Sequence, residues 1–212
     1  LGRIFGCLRE NDLFKNTWVI FTADHGEMLG DHHMSQKNLF FEGSAHVPLL
    51  IMPPQGRSLP QNISVEAPAD LVDLYPTILA MAGLSSPVSV SGKNLLEPVP
   101  MDRMFFGNSL NKNFCVMEEK VKLVYSAVGD HVLLFDLTTD PMEQHNLAED
   151  PAWQERKAKL WKLLLEHTAQ YTPEALGENG QFLTYEAPHF PGDVPGRWFG
   201  FHYHDYSVDT FH

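Results

Sequence analysis

The stretch FTADHGEMLGDHHMSQK, Phe21 to Lys37, decides how the rest of the chain is read. It grows out of the apolar run Trp18-Val19-Ile20-Phe21, whose β-branched and aromatic side chains suit a buried strand. Where that strand gives out stand Asp24, His25 and Gly26, with His32, His33 and Lys37 further on. Ligands of open α/β sheets bind at the carboxyl ends of strands. An aspartate offers a hard oxygen donor and a histidine a nitrogen donor, and Gly26 lets the backbone turn closely beneath them. Two donors make half a site at best, since Ca²⁺ takes roughly six to eight oxygen ligands. Residue types alone leave a plainer reading open. Asp24 would cap the next turn, His25 would be a hydrogen-bonded core histidine, and Lys37 would be a surface lysine. Glu42 and His46 would merely share a helical face.

Working outward, Leu1, Ile4, Phe5 and Leu8 fall on one face of a helix expected over residues 1–12. Residues 17–22 are expected as a strand and 24–37 as loop with one helical turn. Val47-Pro48-Leu49-Leu50-Ile51-Met52 is a second strand, with Pro48 at its start or at an edge. Ala69 to Leu84 has the pattern of a helix, with Pro76 in its first turn and Gly83 closing it. Strand, loop, strand and helix in this order predict an α/β layer: part of a mostly parallel sheet with flanking helices. After Gly92 the texture changes. Met104–Phe106, Phe114–Met117, Val121–Tyr125 and Val132–Phe135 are strand candidates without helices between them, which predicts a small antiparallel sheet. Asp150-Pro151 opens a long helix to about Tyr171, whose Leu160, Trp161 and Leu164 would pack on that sheet. The expected division is 1–95 for the α/β part and 96–171 for a small α+β subdomain. Residues 172–212 form a Pro-, Gly- and aromatic-rich tail that includes Trp198, Phe199, Phe201 and Tyr203. Such a tail would wrap over the domain or pack on a second subunit, which makes a homo-oligomer a candidate.

With 212 residues, 43% of them hydrophobic and 11% aromatic, the chain can bury a core and is not of disordered composition. A formal charge of −12 argues against nucleic acid as a partner. It also means that an anionic substrate would need a local positive centre. No apolar run is long enough to span a bilayer. Cys7 and Cys115 form no metal-binding pair and are expected as buried free thiols, although one bridge between them stays open. The chain opens at Leu1 without a methionine, which suggests a fragment.

Read whole, TADHGEMLGDHHMSQKNLFFEGSAHVPLLIMPP resembles the C-terminal catalytic segment of the sulfatase family. There a strand ends in Asp-His-Gly or Asp-Asn-Gly. A Gly-acid-His or Gly-acid-Arg step, a lysine, an aromatic-Glu pair and a Val-Pro-apolar strand follow. ADLVDLYPTILAMAGL is similar to the family's Asp-x-x-Pro-Thr helix, and SGKNLL to the turn after it. LLFDLTTDPMEQHNLAEDP resembles its closing signature, with Asp-Pro-x-Glu between a strand and Asn-Leu. The resemblance covers Leu1 to about Tyr171 in the family's order. It implies that Asp24 and His25 are two ligands of a divalent cation, usually Ca²⁺, and that Lys37 contacts a sulfate oxygen. It places His32 where many relatives carry a His or Arg near the substrate, with His33 a weaker candidate. A metal ion and a fixed ammonium would stabilise the negative charge that gathers on non-bridging oxygens during sulfate-ester hydrolysis.

One departure matters. Sulfatases attack with a formylglycine made from the first residue of Cys/Ser-x-Pro-Ser-Arg, and neither Cys7 nor Cys115 stands in that context. The family's first Asp-Asp metal pair is not recognisable either. The resemblance therefore implies the C-terminal portion of a sulfatase, inactive alone, whose partners are a sulfate ester and a missing N-terminal half that carries the nucleophile. Two alternatives remain: a phosphonate monoester hydrolase or phosphodiesterase of the same superfamily, and a non-catalytic stand-alone interaction domain. The compartment is not decided; the resemblance favours a periplasmic or secreted location over a cytoplasmic one.

Overall fold

The computed structural model describes residues 1–34, 36–37, 39–57 and 63–186. Its elements in chain order are α1 (Gly2–Glu10), β1 (Val19–Thr22), the short turn α2 (Glu42–Ala45), β2 (Leu49–Met52), α3 (Leu74–Met81), β3 (Phe105–Ser109), β4 (Asn113–Glu118), β5 (Val121–Ser126), β6 (His131–Asp136) and α4 (Gln154–Tyr171). They fall into two compact units. The first holds residues 1–24 and 47–101; the second holds 25–46 and, of the described residues beyond, 102–186. No helix among the described residues is long and apolar enough to cross a membrane.

In the first unit β1 and β2 pair with Val19 opposite Met52 and Thr22 opposite Leu49. The pair is antiparallel, where a mostly parallel sheet was expected. The α/β class stands; the strand direction within this pair is the correction. A parallel return needs a crossover element, usually a helix, and the described residues between these strands form only short turns. Mixed α/β sheets commonly carry such an antiparallel strand. Pro48 precedes β2, where its missing N–H costs no ladder bond.

The Asp-x-x-Pro-Thr helix has a clear local logic. Asp73 is buried, and its carboxylate accepts from Asp70 N at 2.8 Å and from Lys93 N at 2.7 Å. Thr77 Oγ1 accepts from Leu95 N at 2.9 Å. The helix thus captures the turn SGKNLL through its own buried polar side chains. A Cβ at Gly92 would meet the Val72 carbonyl oxygen at 2.1 Å, so only glycine lets the turn approach this closely. Gly83, at φ +72°, ends the helix with Leu84 N donating to Leu79 O and Gly83 N to Ala80 O, a Schellman closure. Met81 is the one core hydrophobic side chain of this unit among the described residues; Leu1, Ile4, Leu50, Val72 and Ile78 stay exposed. The apolar face expected of α1 is therefore only partly covered, with Phe5 stacked on Phe14 and Leu1 and Ile4 exposed.

The second unit is built on the antiparallel meander β3-β4-β5-β6. Strand alternation sends Phe114, Val116, Val121, Leu123, Tyr125 and Leu134 to one face, against Leu160 and Leu164 of α4. It sends Cys115, Val124, Leu133 and Phe135 to the other, against Met28, Met34, Leu39 and Phe41. With both faces covered, all six residues of β5 are buried. That second face explains why the units depart from the expected division near residue 95: the apolar side chains of 25–46 complete the core of the later sheet. Asp150 caps the helical entry by accepting from Ala152 N at 2.9 Å. Of the tail, residues 172–186 fold onto this unit, where Phe182 packs on Tyr125 and Phe114; Trp198, Phe199, Phe201 and Tyr203 lie outside the described residues. Both cysteines are free thiols, but Cys7 is exposed rather than buried. Burial pushes the Cys115 thiol up to about 12, so it is inert as a nucleophile.

Gly92→Ala is expected to lower stability by at least about 2 kcal/mol, towards the top of the usual range for one substitution. Urea denaturation measures it, and an unchanged midpoint would contradict the close approach described.

Candidate active site

Of the residues singled out from sequence, Asp24 belongs to the first unit and His25, His32 and Lys37 to the second. Asp24, exposed, is the last residue of its stretch of the first unit, just past β1. His25, half-buried, opens the second unit. The structure brings His25 and Lys37 together: Lys37 Nζ lies 2.7 Å from His25 Nε2. His25 Nδ1 lies 2.8 Å from the Gly26 carbonyl oxygen, to which it donates. With its proton on Nδ1, the ring presents a lone pair at Nε2, where the Lys37 ammonium donates.

His32 has other partners. Its ring stacks on Phe41 at 4.1 Å between centroids, and Nε2 donates to the Met142 carbonyl at 3.2 Å. It occupies the left-handed region at φ 52° within the helical turn Asp31–His33. Phe41 in turn is buried against Phe135 of β6. His32 is thus held at a fixed place on the second unit, on contacts separate from the His25–Lys37 pair.

The backbone around the pair is tightly registered. Gly26 N donates to Ser44 O at 2.7 Å and Glu27 N to Gly43 O at 2.9 Å. Ser44 Oγ donates to the Lys37 carbonyl at 2.7 Å. A Cβ at Gly26 would lie 2.1 Å from the Gly43 carbonyl oxygen, so only glycine lets α2 approach this closely. The turn α2 therefore carries contacts to the neighbours of His25 and to Lys37 itself.

Two residues that sequence reasoning did not single out lie behind α2. Lys122 of β5 is buried, with Nζ 2.8 Å from Phe40 O, 2.5 Å from Glu42 Oε1 and 2.8 Å from Glu143 Oε1. Glu143 Oε2 accepts from Glu42 N at 2.6 Å. Glu42 also pairs with His46 Nδ1 at 2.7 Å, so their shared spacing is a real contact. Burial works against the Lys122 ammonium, but the Glu143 carboxylate, with Cys115 and Glu42, outweighs it and holds Lys122 above its usual range. The stabilising contribution is then intact below the ordinary lysine value of 10.5 and is lost only as pH climbs through the raised value. A lysine inside an otherwise apolar strand, Val121-Lys122-Leu123-Val124, was the available signal. Glu143 is the glutamate of the Asp-Pro-x-Glu signature.

Among the described residues no group of three or more His, Cys, Asp or Glu side chains is placed to hold a metal ion. The ring's lone pair at His25 Nε2 is taken up by Lys37, and the described residues do not assemble a complete metal site.

The family model for sulfatases matches residues 1–84. Arylsulfatase K of Xenopus laevis is 34% identical over 168 residues, which is 70% of this chain and 31% of that protein. The uncharacterized sulfatase YidJ of Escherichia coli is 31% identical over 179 residues, 79% of this chain and 35% of that protein. The chain belongs to the sulfatase family. It spans 31% to 35% of the length of these two sulfatases. The solved phosphonate monoester hydrolase of Agrobacterium radiobacter is also similar, 31% identical with a TM-score of 0.63, over 84% of this chain and 41% of that one.

Lys122→Met would leave Glu143 buried without its cation, and is expected to cost about 3–5 kcal/mol. Denaturant titration checks this; a loss below about 1 kcal/mol, the usual value of an exposed pair, would contradict the burial described.

Proposed function

We propose that this chain forms the lysine- and histidine-bearing part of a sulfatase that hydrolyses sulfate esters. The observation that carries the reading is the contact of Lys37 Nζ with His25 Nε2 at 2.7 Å, on a loop registered by α2. A compact ammonium fixed beside a metal-type donor suits a substrate whose charge is spread over several equivalent oxygens. Lys37 would bind one such oxygen and stabilise its growing charge. Asp24 and His25 would supply two donors to a divalent cation, Ca²⁺ by resemblance, with Lys37 turning from His25 Nε2 to the substrate oxygen and the remaining ligands coming from residues outside this chain. When bound, that cation would act as a Lewis acid on a sulfate oxygen. His32, anchored by Phe41 and Met142, would border the substrate rather than exchange protons.

The nucleophile in this reading is a formylglycine outside these residues, because Cys/Ser-x-Pro-Ser-Arg does not occur in them. The uncovered apolar surface of the first unit supports a larger α/β layer in which Leu50, Val72 and Ile78 are covered. Phosphonate monoester hydrolysis is the second reading, favoured by the likeness to the Agrobacterium enzyme.

In the complete gene product, Lys37→Ala is expected to lower kcat on an aryl sulfate by about 100- to 1000-fold, the cost of one lost charge-stabilising donor. Chelation of divalent cations should also remove activity, and Ca²⁺ should restore it. A Lys37→Ala enzyme within about threefold of the parent kcat would remove Lys37 from the transition state.

A further inference from the structure

Three segments far apart in sequence converge on one buried ammonium. Lys122 is the second residue of β5, Glu143 comes from the turn after β6, and Glu42 opens α2. Each acceptor within reach of Lys122 Nζ is either on α2, just before it, or bonded to it: Phe40 O, Glu42 Oε1 and Glu143 Oε1. Glu143 then closes the ring by accepting the Glu42 backbone N–H at 2.6 Å. The first residue of α2 is thus fixed through both its side chain and its backbone.

From α2 the path to the site is short and made of backbone bonds. Gly43 O and Ser44 O accept from Glu27 N and Gly26 N, the residues that follow His25. Ser44 Oγ donates to Lys37 O. One four-residue turn therefore holds both strands of the loop on which His25 and Lys37 meet. The turn that carries Glu143 has a second grip, because Met142 O accepts from His32 Nε2. Glu143 itself sits at φ 54°, a left-handed conformation that is uncommon for a residue of this type. Such backbone strain persists where the surroundings over-determine it.

We propose that Lys122 and Glu143 are positioning residues of the site: their buried cluster with Glu42 sets the place of α2 and, through it, the mutual placement of His25 and Lys37. This rests on the sulfatase reading for its catalytic consequence, but not for its structural content. An all-apolar replacement would fill the same volume, yet it would hold neither Phe40 O nor Glu42 N. Buried ion clusters are often neutral or worse for stability than apolar substitutes, so specificity of geometry is the role left to this one.

The test uses the complete gene product with Lys122→Met and Glu143→Leu combined, which removes both buried charges together and leaves neither unpaired. Near-ultraviolet circular dichroism establishes folding. Amide hydrogen exchange is then read at Gly26, Glu27 and residues 42–46, with β5 and α4 as internal references. The expected result is faster exchange at those amides with the references unchanged, and kcat on an aryl sulfate lower by about 100-fold with KM nearly constant, as for a small misplacement of reacting groups. A purely structural role would lower stability and speed exchange everywhere alike, leaving kcat of the folded enzyme intact. A folded double variant with parent kcat, or with unchanged exchange at 26–27 and 42–46, overturns the proposal. If the parent protein cleaves no sulfate or phosphonate ester, the functional reading fails by itself, and the exchange pattern still decides whether the cluster sets the loop.

Discussion

The Lys122 ammonium lies inside the second unit with carboxylates of Glu42 and Glu143 as its neighbours, and the arrangement of the candidate site depends on it. A buried charge is costly unless it is paired and hydrogen-bonded, and here it has three acceptors at 2.5–2.8 Å. Satisfying it forces residues 40–42 against β5. That contact lays Phe41 on Phe135 and under the His32 ring, and puts α2 where it can bond to both arms of the loop. The loop itself has few means of ordering. Leu29, His32 and Gln36 all occupy left-handed conformations, and the one helical turn among its described residues is the 3₁₀ turn Asp31–His33. Its order is borrowed from the sheet.

That sheet serves two masters through its alternation. One face is an ordinary core against α4, aromatic and aliphatic throughout. The other takes the functional segment, and there the one buried cation among the described residues is Lys122. The signature Asp-Pro-x-Glu belongs to the same design. Asp140 accepts from His145 N and starts the turn that delivers Glu143 inward and Met142 O to His32. The Asp-x-x-Pro-Thr helix plays a similar part in the first unit, with Asp73 and Thr77 as the acceptors that gather the turn around Gly92.

Much of this was legible in the sequence because it rests on local pattern. Short apolar runs divided by Gly, Asn and Asp marked the four strands of the meander, Asp150-Pro151 the start of α4, and Gly83 the end of α3. Asp24, His25 and Lys37 were singled out from order and spacing; the structure places Lys37 against His25. Strand direction was not legible: Leu49–Met52 is equally apolar whether it runs with β1 or against it. Nor was the division of the units, since the packing of Met28, Met34, Leu39 and Phe41 on a sheet that begins at Phe105 is a long-range choice. Lys122 was missed for the same reason. A lysine in a strand reads as an edge or a solvent-facing position, and only its partners, at Glu42 and Glu143, make it a core residue.

The measurement that bears most directly on the central claim is the rate at which the purified complete gene product hydrolyses an aryl sulfate, set beside an aryl phosphonate monoester under the same conditions with Ca²⁺ present. The account predicts faster turnover of the sulfate. Faster turnover of the phosphonate, or of neither, would contradict it.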